Sequence, residues 1–312
     1  MNTSYPDDQF YLARKSQALQ MRARLIQSIR SFFIQQDFLE VETPVRIPSP
    51  APEEHIEAIP SGSWFLQTSP ELCMKRLLTA GYPRIFQICK CFRADERGGK
   101  HLPEFTMLEW YVVQFDYHDL MNQCEAMLLA AFVNVGYHRD ITWQNKKINL
   151  ATPWERITVA DAFARYSPVN LSEAMNRNIF DETLVQYIEP RLGISRPTFL
   201  YDYPAELAAL ARIKKSDPSV AERFELYIGG LELANGFSEL TDAAEQRSRF
   251  EKASGTRAAK NWHCYPLPEK FLTALENLPP SAGIALGIDR IMMLLADTMQ
   301  IDDITAFTPE DL

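Results

Sequence analysis

The sequence predicts an α+β fold in which an antiparallel sheet is flanked by helices. Two pairs of strand-like segments indicate this: RIFQICKCF with EFTMLEWYVV, and RFELYI with LELANG. A segment with two adjacent glycines separates the members of each pair, which is typical of hairpins. Amphipathic segments with helical spacing precede the first pair and follow the last predicted strand. Strands that are grouped together, and do not alternate regularly with helices, favour the α+β class.

Length and composition place the chain among globular proteins. Its 312 residues, 46% of them hydrophobic, can bury a large core in one big domain or two ordinary ones. The longest apolar run, residues 126–133, is shorter than the roughly 18 residues that a membrane span requires. The polar N-terminal segment has no hydrophobic region of a signal peptide. We therefore expect a soluble cytoplasmic protein with no membrane partner.

The net charge and the spacing of the cysteines limit the kinds of partner and metal site that we expect. A net charge of -9 supplies none of the basic excess that phosphate-backbone binding exploits, so we expect no tRNA partner unless a local basic patch exists. The five cysteines show no CxxC spacing, so neither a disulfide framework nor a zinc ribbon is indicated. We expect reduced thiols that pack within the fold.

The first elements alternate between helix and strand. Apolar residues recur at helical spacing over residues 17–33, with arginines interleaved, which predicts an amphipathic helix. The following segment DFLEVETPV predicts an extended strand. WFLQTSPELCMKRL predicts a strand and then a helix with Glu71 in its first turn, where a carboxylate suits the helix dipole. From these residues alone, Glu71 is either a helix-start residue or part of a site.

The segment RIFQICKCFRADE places Arg93 at the end of a polar strand face. Pairing this strand with EFTMLEWYVV would bring Arg93 near Phe105 and Glu109.

The remaining segments indicate only the type of element that each contains. We expect residues 119–222 to be mostly helical, with prolines breaking the segments, and residues 241–260 to form a solvated helix. SAGIALGIDRIMMLLADTM predicts a strand and then a helix that begins near Asp289.

The segment RFELYIGGLELANGFSEL places three glutamates seven residues apart among large apolar residues: Glu225, Glu232 and Glu239. A heptad position on one long helix would explain the spacing, but the glycines at 229–230 and 236 would interrupt that helix. A hairpin with its turn at Gly229-Gly230 is the stronger interpretation, with a second turn expected at Asn235-Gly236.

This hairpin would place Glu225 opposite Ala234 and Glu232 opposite Tyr227, so both carboxylates project from one sheet face. Diagonal positions about 7–8 Å apart suit two carboxylates that reach toward a hard cation between them. Glu239 would then be free to receive an ammonium group, because a buried carboxylate needs a cationic partner. The alternative is a surface hairpin with three solvated acids.

Together these segments resemble the signature motifs of class II aminoacyl-tRNA synthetases. QQDFLEVETPV looks like motif 1, CFRADERGGKHLPEFTMLEWY like motif 2 and GIALGIDR like motif 3. TSPEL, HLPEFTMLEW and ELANGFSEL most resemble lysyl-tRNA synthetase. The resemblance covers nearly the whole chain from about residue 17. It implies that residues 1–16 form a tail, that residues 17–312 form one class II catalytic domain, and that motif 1 forms a homodimer interface.

The resemblance implies activation of an amino acid by ATP, with Mg²⁺, to give an aminoacyl-adenylate and pyrophosphate. Such a step depends on positioning and charge neutralisation. Arg93 would bridge the amino-acid carboxylate and the α-phosphate, and Arg290 would meet the γ-phosphate, as the two catalytic residues. Glu225 and Glu232 would ligate Mg²⁺. The other expected nucleotide contacts are Asp95, His101, Leu102 and Phe105, with Glu225. Asp95, Lys100 and Leu102 depart from the family pattern, so the contacts to the adenine edge stay open.

For the amino acid, the resemblance places Ser69, Glu71 and Glu109 around the α-amino end and Asn235 and Glu239 at the ε-ammonium group. Ala285 stands where the synthetase motif has glycine, so a methyl group would reshape the pocket near the α-carbon. A polar pocket discriminates strongly when one amino group moves by one carbon. The alternative for Ala285 is neutral drift in a strand of small residues.

Lysyl-tRNA synthetases carry an anticodon-binding OB domain ahead of motif 1, and five strands with their turns do not fit in 16 residues. We therefore expect a catalytic domain alone. This pattern is similar to paralogs of lysyl-tRNA synthetase that activate (R)-β-lysine and attach it to a lysine side chain of elongation factor P. The implied partners are elongation factor P and lysine or (R)-β-lysine. The alternatives are a shortened lysyl-tRNA synthetase that charges tRNA and a non-catalytic amino-acid sensor.

Overall fold

A computed structural model describes residues 8–312, with side chains from residue 10 onward. The tail expected over residues 1–16 lies partly outside the described residues, and its described part contains a helix. The first elements are α1 (Asp8–Arg14), α2 (Ser16–Ile34), β1 (Leu39–Glu40), β2 (Arg46–Ile47), β3 (Pro60–Ser61), β4 (Trp64–Leu66), α3 (Glu71–Thr79), β5 (Arg84–Phe92), β6 (Glu104–Val113) and α4 (Tyr117–Asn134).

The remaining elements are β7 (Asp140–Trp143), β8 (Lys146–Asn149), β9 (Glu155–Thr158), α5 (Val159–Tyr166), α6 (Leu171–Asn176), α7 (Phe180–Thr183), β10 (Thr198–Pro204), β11 (Val220–Ile228), β12 (Leu231–Ser238), α8 (Ala243–Ala259), α9 (Glu269–Leu275), β13 (Ser281–Gly287) and α10 (Ile288–Leu295). Short π or 3-10 turns follow α7, β10 and α10.

One sheet of eight strands organises the fold, in the order β1-β5-β6-β13-β12-β11-β10-β9. Its outermost pairs, β1 with β5 and β9 with β10, are parallel, and the pairs between them are antiparallel. Helices α2, α4 and α10 pack on one face. The α+β fold predicted from the two hairpins is confirmed.

Strand β6 shows how the sheet separates the core from the opposite face. Leu108 and Trp110 are fully buried, and the Trp110 ring lies 5.1 Å from the Phe33 ring of α2. Met107 and Glu109 alternate with them and line a cavity on the other face. Because strand side chains alternate between faces, the same strand supports the core and the candidate site.

The expectation of a mostly helical region over residues 119–222 is wrong beyond α4. Strands β7, β8, β9 and β10 lie in this region, and β11 begins at its end. The segment TFLYDYP of β10 contains aromatic and β-branched residues, which fit a sheet surface, and it pairs with β11. The prolines predicted where segments end, but they did not indicate whether each segment is a helix or a strand.

The expected helix over residues 241–260 is present as α8, but one of its sides is packed against the protein. Phe250 contacts Phe271 of α9, and Arg257 is fully buried. The Arg257 guanidinium donates hydrogen bonds to the carbonyl oxygens of Glu53, Ile56 and His263. This side chain thereby fixes the loop that follows β2.

The hairpin of β11 and β12 turns at Gly229-Gly230, as predicted, with both glycines at positive φ. Tyr227 pairs with Glu232, as predicted, but Glu225 pairs with Asn235 and not with Ala234. The register shifts because β12 contains one extra residue between these pairs. This bulge keeps both Glu232 and Asn235 on the face of Glu225, although they are three residues apart in the chain.

The turn expected at Asn235-Gly236 is absent, because both residues lie inside β12. A Cβ atom at Gly236 would lie 2.7 Å from the Phe224 ring and 2.9 Å from Ile284 Cβ. Close packing against the neighbouring strands, and not a turn, therefore requires glycine at this position.

Candidate active site

The face of the sheet opposite the core carries a cavity of about 340 Å³. Eleven of the fourteen residues predicted for the site line it: Ser69, Glu71, Arg93, His101, Leu102, Phe105, Glu109, Glu232, Asn235, Ala285 and Arg290. Glu225 and Glu239 do not line it and are buried. Segments that are far apart in the sequence thus meet in one place.

The sheet register explains this convergence. One continuous row of paired residues crosses five adjacent strands: Gln87, Glu109, Ala285, Asn235 and Glu225. Directly paired residues project from the same face of a sheet. The row therefore places the carboxylate of Glu225, a predicted metal ligand, beside the amide of Asn235. The methyl group of Ala285 and the carboxylate of Glu109 follow on the next two strands.

The deepest part of the site contains an ion cluster that sequence reasoning missed. Lys75 Nζ lies 2.5 Å from Glu71 Oε1 and 2.5 Å from Glu239 Oε2. Lys75 is 1% exposed and Glu239 is fully buried. Glu239, predicted to receive an ammonium group from the substrate, thus already has a cationic partner from the chain itself. The spacing of four residues between Glu71 and Lys75 on a predicted helix could have indicated an ion pair between them.

Glu109 is held by two donors in the same part of the site. Ser69 Oγ donates a hydrogen bond to Glu109 Oε1 at 2.6 Å, and the Tyr111 hydroxyl donates one to Oε2 at 2.7 Å. Burial and the nearby charge of Glu71 raise the pKa of Glu109 to about 7. Burial also raises the pKa of Glu239 to about 8, although Lys75 opposes this shift. We call the surroundings of Glu71, Lys75, Glu109 and Glu239 the inner pocket; it is rich in carboxyl groups and able to take up protons near neutral pH.

The other end of the cavity contains Arg290, from the first turn of α10. Its guanidinium donates hydrogen bonds to the backbone oxygen of Glu232 at 2.8 Å and to Glu232 Oε2 at 3.0 Å. Arg290 Nη2 lies 2.7 Å from His101 Nε2. Burial and the Arg290 charge lower the pKa of His101, so its neutral ring accepts this hydrogen bond. Arg290 thus places a guanidinium, which suits phosphate oxygens, at this end of the cavity.

Arg93 and Phe105 lie between the two ends. The Arg93 guanidinium lies 5.1 Å from the centre of the Phe105 ring, as the predicted pairing of β5 and β6 requires. Within residues 8–312, Arg93 Nε has no hydrogen-bond partner. Asp95 lies outside this cavity: it is exposed and lines a neighbouring cavity that also contains Arg257 and Trp262.

The two predicted metal ligands, Glu225 and Glu232, both accept hydrogen bonds from side chains of the protein. Glu225 accepts hydrogen bonds from Arg223 Nη2 at 2.6 Å and from the Tyr227 hydroxyl at 2.6 Å. In the part of the chain that the structure describes, no group of three or more His, Cys, Asp or Glu side chains has the arrangement of a metal site. A cation bound here would therefore need oxygen ligands from another molecule as well.

The comparison with known families agrees with this geometry. The family model described as tRNA synthetases class II (D, K and N) matches residues 9–311. The chain belongs to this family. The resemblance seen in the three motifs is confirmed, and so is the predicted class II catalytic fold.

Relatives of this class II synthetase chain are similar to it over nearly their whole length. The elongation factor P–(R)-β-lysine ligase of Proteus mirabilis is 39% identical over 303 residues, covering 92% of this chain and 93% of the relative. The protein of the same name from Vibrio cholerae is 40% identical over 307 residues, covering 93% and 94%. The similarity to such paralogs that the sequence indicated is thereby confirmed. Across residues 8–312, no helix has the length and apolarity needed to cross a membrane.

Proposed function

We propose that this chain uses ATP to activate (R)-β-lysine or lysine as an aminoacyl-adenylate and transfers the lysyl group to a lysine side chain of elongation factor P. The observation that carries the proposal is the inner pocket, in which Glu71, Glu109 and Glu239 surround the end of a class II synthetase site. A diamino acid supplies two ammonium groups to such a pocket. The names of the relatives support the same donor and acceptor.

The amino-acid substrate would lie along the row of paired residues. Ser69, Glu71 and Glu109 would contact the amino group near the carboxylate, and Asn235 and Glu239 would contact the distal ammonium group. Ala285 pairs with both Glu109 and Asn235, so its methyl group lies between the two ends. This position supports a role for Ala285 in choosing between α- and β-amino acids.

The nucleotide would occupy the opposite end of the cavity. Phe105 would stack on the adenine, with Leu102 and His101 beside it, and Arg290 would contact the γ-phosphate. A contact from Asp95 would require the segment of residues 94–100 to change conformation, since Asp95 lines the neighbouring cavity.

Glu225 and Glu232 provide the hard oxygen ligands that Mg²⁺ prefers, and they project from the same sheet face. Mg²⁺ is commonly held by one or two carboxylates together with phosphate oxygens, so this small donor set fits the ion. When bound, Mg²⁺ would neutralise charge on the phosphates. The chain's own arginines provide the remaining positive charge.

The reaction would proceed in two steps. The amino-acid carboxylate attacks the α-phosphorus and pyrophosphate leaves; Arg93 would hold the carboxylate and the α-phosphate together. A neutral amine of the acceptor lysine then attacks the carbonyl carbon, and AMP leaves with the bonding electron pair. Both steps depend on positioned charge, which the cavity provides at both ends.

We further propose that residues 17–312 form the catalytic domain and that it works as a cytoplasmic homodimer. Large apolar side chains are exposed on and beside motif 1: Leu39 is 49% exposed, Val45 44% and Trp64 43%. Adjacent exposed apolar residues favour an interface. A monomer in sedimentation experiments at working concentration would contradict the dimer.

Amino-acid-dependent exchange of pyrophosphate into ATP tests the activation step. We expect exchange with (R)-β-lysine or α-lysine and far weaker exchange with norleucine, which lacks the distal ammonium group. Absence of exchange with both lysine isomers would overturn the proposed function.

A further inference from the structure

Lys75 is the one cation that the chain itself places between two carboxylates of the inner pocket, among the residues that the structure describes. Its Nζ atom makes two contacts of 2.5 Å, and its side chain lies 5.1 Å from the centre of the Phe237 ring. Burying an ammonium group is costly unless carboxylates compensate it. Burial lowers the pKa of Lys75, but Glu239 and Glu71 outweigh this effect and raise it, so Lys75 stays charged.

The carboxylate oxygens of Glu71 and Glu239 that do not contact Lys75 lack a hydrogen-bond donor from the described residues of the chain. Within residues 8–312, Glu71 Oε2 accepts no hydrogen bond, and Glu239 Oε1 is buried without a donor. A Cβ atom placed on Gly283, which lines the cavity, would lie 2.5 Å from Glu239 Oε1. This oxygen therefore lies on the cavity face of Gly283, in the space that a side chain at that position would fill, and Lys75 contacts the other oxygen of the carboxylate.

The charges of the pocket match a diamino acid once the carboxyl groups of the pocket are ionised, which the two ammonium groups of such a substrate would favour. When Glu71, Glu109 and Glu239 are ionised, their three negative charges and the positive charge of Lys75 leave a net charge of -2. Lysine and β-lysine each carry two ammonium groups, while their carboxylate would be held by Arg93. Without Lys75, the pocket would keep one negative charge more than the substrate compensates.

We propose that Lys75 is a positioning residue that adapts the inner pocket to a diamino acid. It holds Glu71 and Glu239 oriented, with one oxygen of each directed to Lys75 and the other without a donor from the described part of the chain, where a substrate ammonium group would bind. This inference rests on the proposed function, because it assumes a substrate with two ammonium groups.

A purely structural role for Lys75 makes a different prediction. If Lys75 only attached α3 to β12, its loss would lower the stability and reduce activity with all amino acids equally. If Lys75 positions the carboxylates, its loss leaves Glu71 and Glu239 side by side without a cation, and the pKa of Glu239 rises further because Lys75 no longer opposes the effect of burial. The charged groups that face Glu239 are then Glu71 on α3 and Glu109 on β6, with the Tyr111 hydroxyl nearby. The protonated pocket loses its preference for an ammonium group.

The experiment compares Lys75→Met with the unaltered chain in pyrophosphate exchange. The readout is the ratio of kcat/KM for the preferred lysine isomer to kcat/KM for its analogue without the distal amino group. Truncating one partner of a buried charge pair costs enough to reduce this ratio about 30-fold or more. The KM for ATP should stay within about twofold, since Lys75 lies away from Arg290 and His101.

Lys15→Met is the matched control. Lys15 is also buried, at 6% exposure, but its Nζ atom donates to the backbone oxygen of Thr305 at 2.8 Å and not to a carboxylate. This variant should keep the discrimination ratio of the unaltered chain.

Lys75→Gln provides a second variant that keeps a polar side chain without the charge. Its discrimination should be low at pH 7 and should recover in part at pH 9, where a larger fraction of Glu109 and Glu239 is ionised. Unchanged discrimination in folded Lys75→Met and Lys75→Gln would overturn the inference, as would failure of both variants to fold. Absence of lysine-dependent exchange in the unaltered chain would instead overturn the proposed function and this inference with it.

Discussion

Arg22 Nη1 lies 2.6 Å from Asp289 Oδ1, and this ion pair connects α2, the helix that precedes motif 1, to the first turn of α10 at the end of motif 3. Thr106 of motif 2 contacts both members of this ion pair. Arg22 Nη2 donates to Thr106 Oγ1 at 2.7 Å, and the Thr106 backbone amide donates to Asp289 Oδ2 at 2.6 Å. Asp289 immediately precedes Arg290, so the position of the Arg290 guanidinium depends on contacts among α2, motif 2 and motif 3.

Replacing Arg22 with Met should destabilise the protein. Asp289, 5% exposed, would keep its backbone donor but lose its cationic partner. Breaking such a pair costs about 2–3 kcal/mol. Urea unfolding measures this change. Arg24→Met, an exposed position on the same helix, is the control and should stay within about 0.5 kcal/mol; equal stability of the two variants would contradict the account.

Replacing Arg290 with Ala should weaken ATP binding. The variant loses a guanidinium that forms hydrogen bonds with Glu232 and lies beside His101, where phosphates are proposed to bind. We expect the KM for ATP to rise about tenfold or more, with the KM for lysine changed by less than about threefold. Arg247→Ala removes an exposed arginine paired with Glu269 and serves as the control. Full ATP affinity in Arg290→Ala would remove Arg290 from the nucleotide site.

Replacing Glu239 with Gln should weaken recognition of the distal ammonium group. We expect kcat/KM for lysine to fall about a hundredfold or more in pyrophosphate exchange, because a buried charge partner is lost, while the KM for ATP is retained. Glu222→Gln is a matched control, since Glu222 is buried on β11 but pairs with Arg212 outside the cavity. Lysine-dependent exchange unchanged by Glu239→Gln would show that the ammonium group binds elsewhere.

Replacing Ala285 with Gly should alter the preference between lysine isomers. Removal of one methyl group between Glu109 and Asn235 should change the ratio of activities with β-lysine and α-lysine about tenfold, in favour of α-lysine. Ala282→Gly, on the core face of the same strand, should leave the ratio unchanged. A constant ratio in Ala285→Gly would indicate neutral drift at this position.

The stability should decrease as the pH rises from about 5 to 8. The pKa of Glu109 is about 7 and that of Glu239 about 8 in the folded state, above the ordinary value of 4.5. Between these pH values the folded protein binds more protons than the unfolded chain, so their favourable contribution is present below about 4.5 and lost by about 8. Urea unfolding at several pH values should show a shallower decrease for Glu239→Gln. Parallel curves for the two proteins would argue against a raised pKa at Glu239.

The hairpin of β11 and β12 shows what the sequence could and could not predict. The adjacent glycines at 229–230 located the turn and the pair of Tyr227 with Glu232, because turn chemistry is local. The extra residue in β12 had no local signal. The Asn-Gly pair at 235–236 resembled a turn, but Gly236 is required by packing against Phe224 on another strand.

The inner pocket shows the same limit for the candidate site. Glu71 and Lys75 were close in sequence, and their helical spacing could have indicated the pair. Their common partner Glu239 comes from a distant strand, so only the folded sheet reveals that one lysine neutralises two carboxylates. The resemblance assigned Glu239 to a substrate cation and contained no information about the cation within the chain.

The central claim is tested most directly by following labelled lysine into its acceptor. The chain is incubated with ATP, labelled α-lysine or (R)-β-lysine, elongation factor P and bulk tRNA, and the acid-precipitable product is treated with ribonuclease or protease. The account predicts label that resists ribonuclease, is released by protease and maps to one lysine of elongation factor P. Label that is lost to ribonuclease would show a tRNA synthetase and contradict the proposed acceptor.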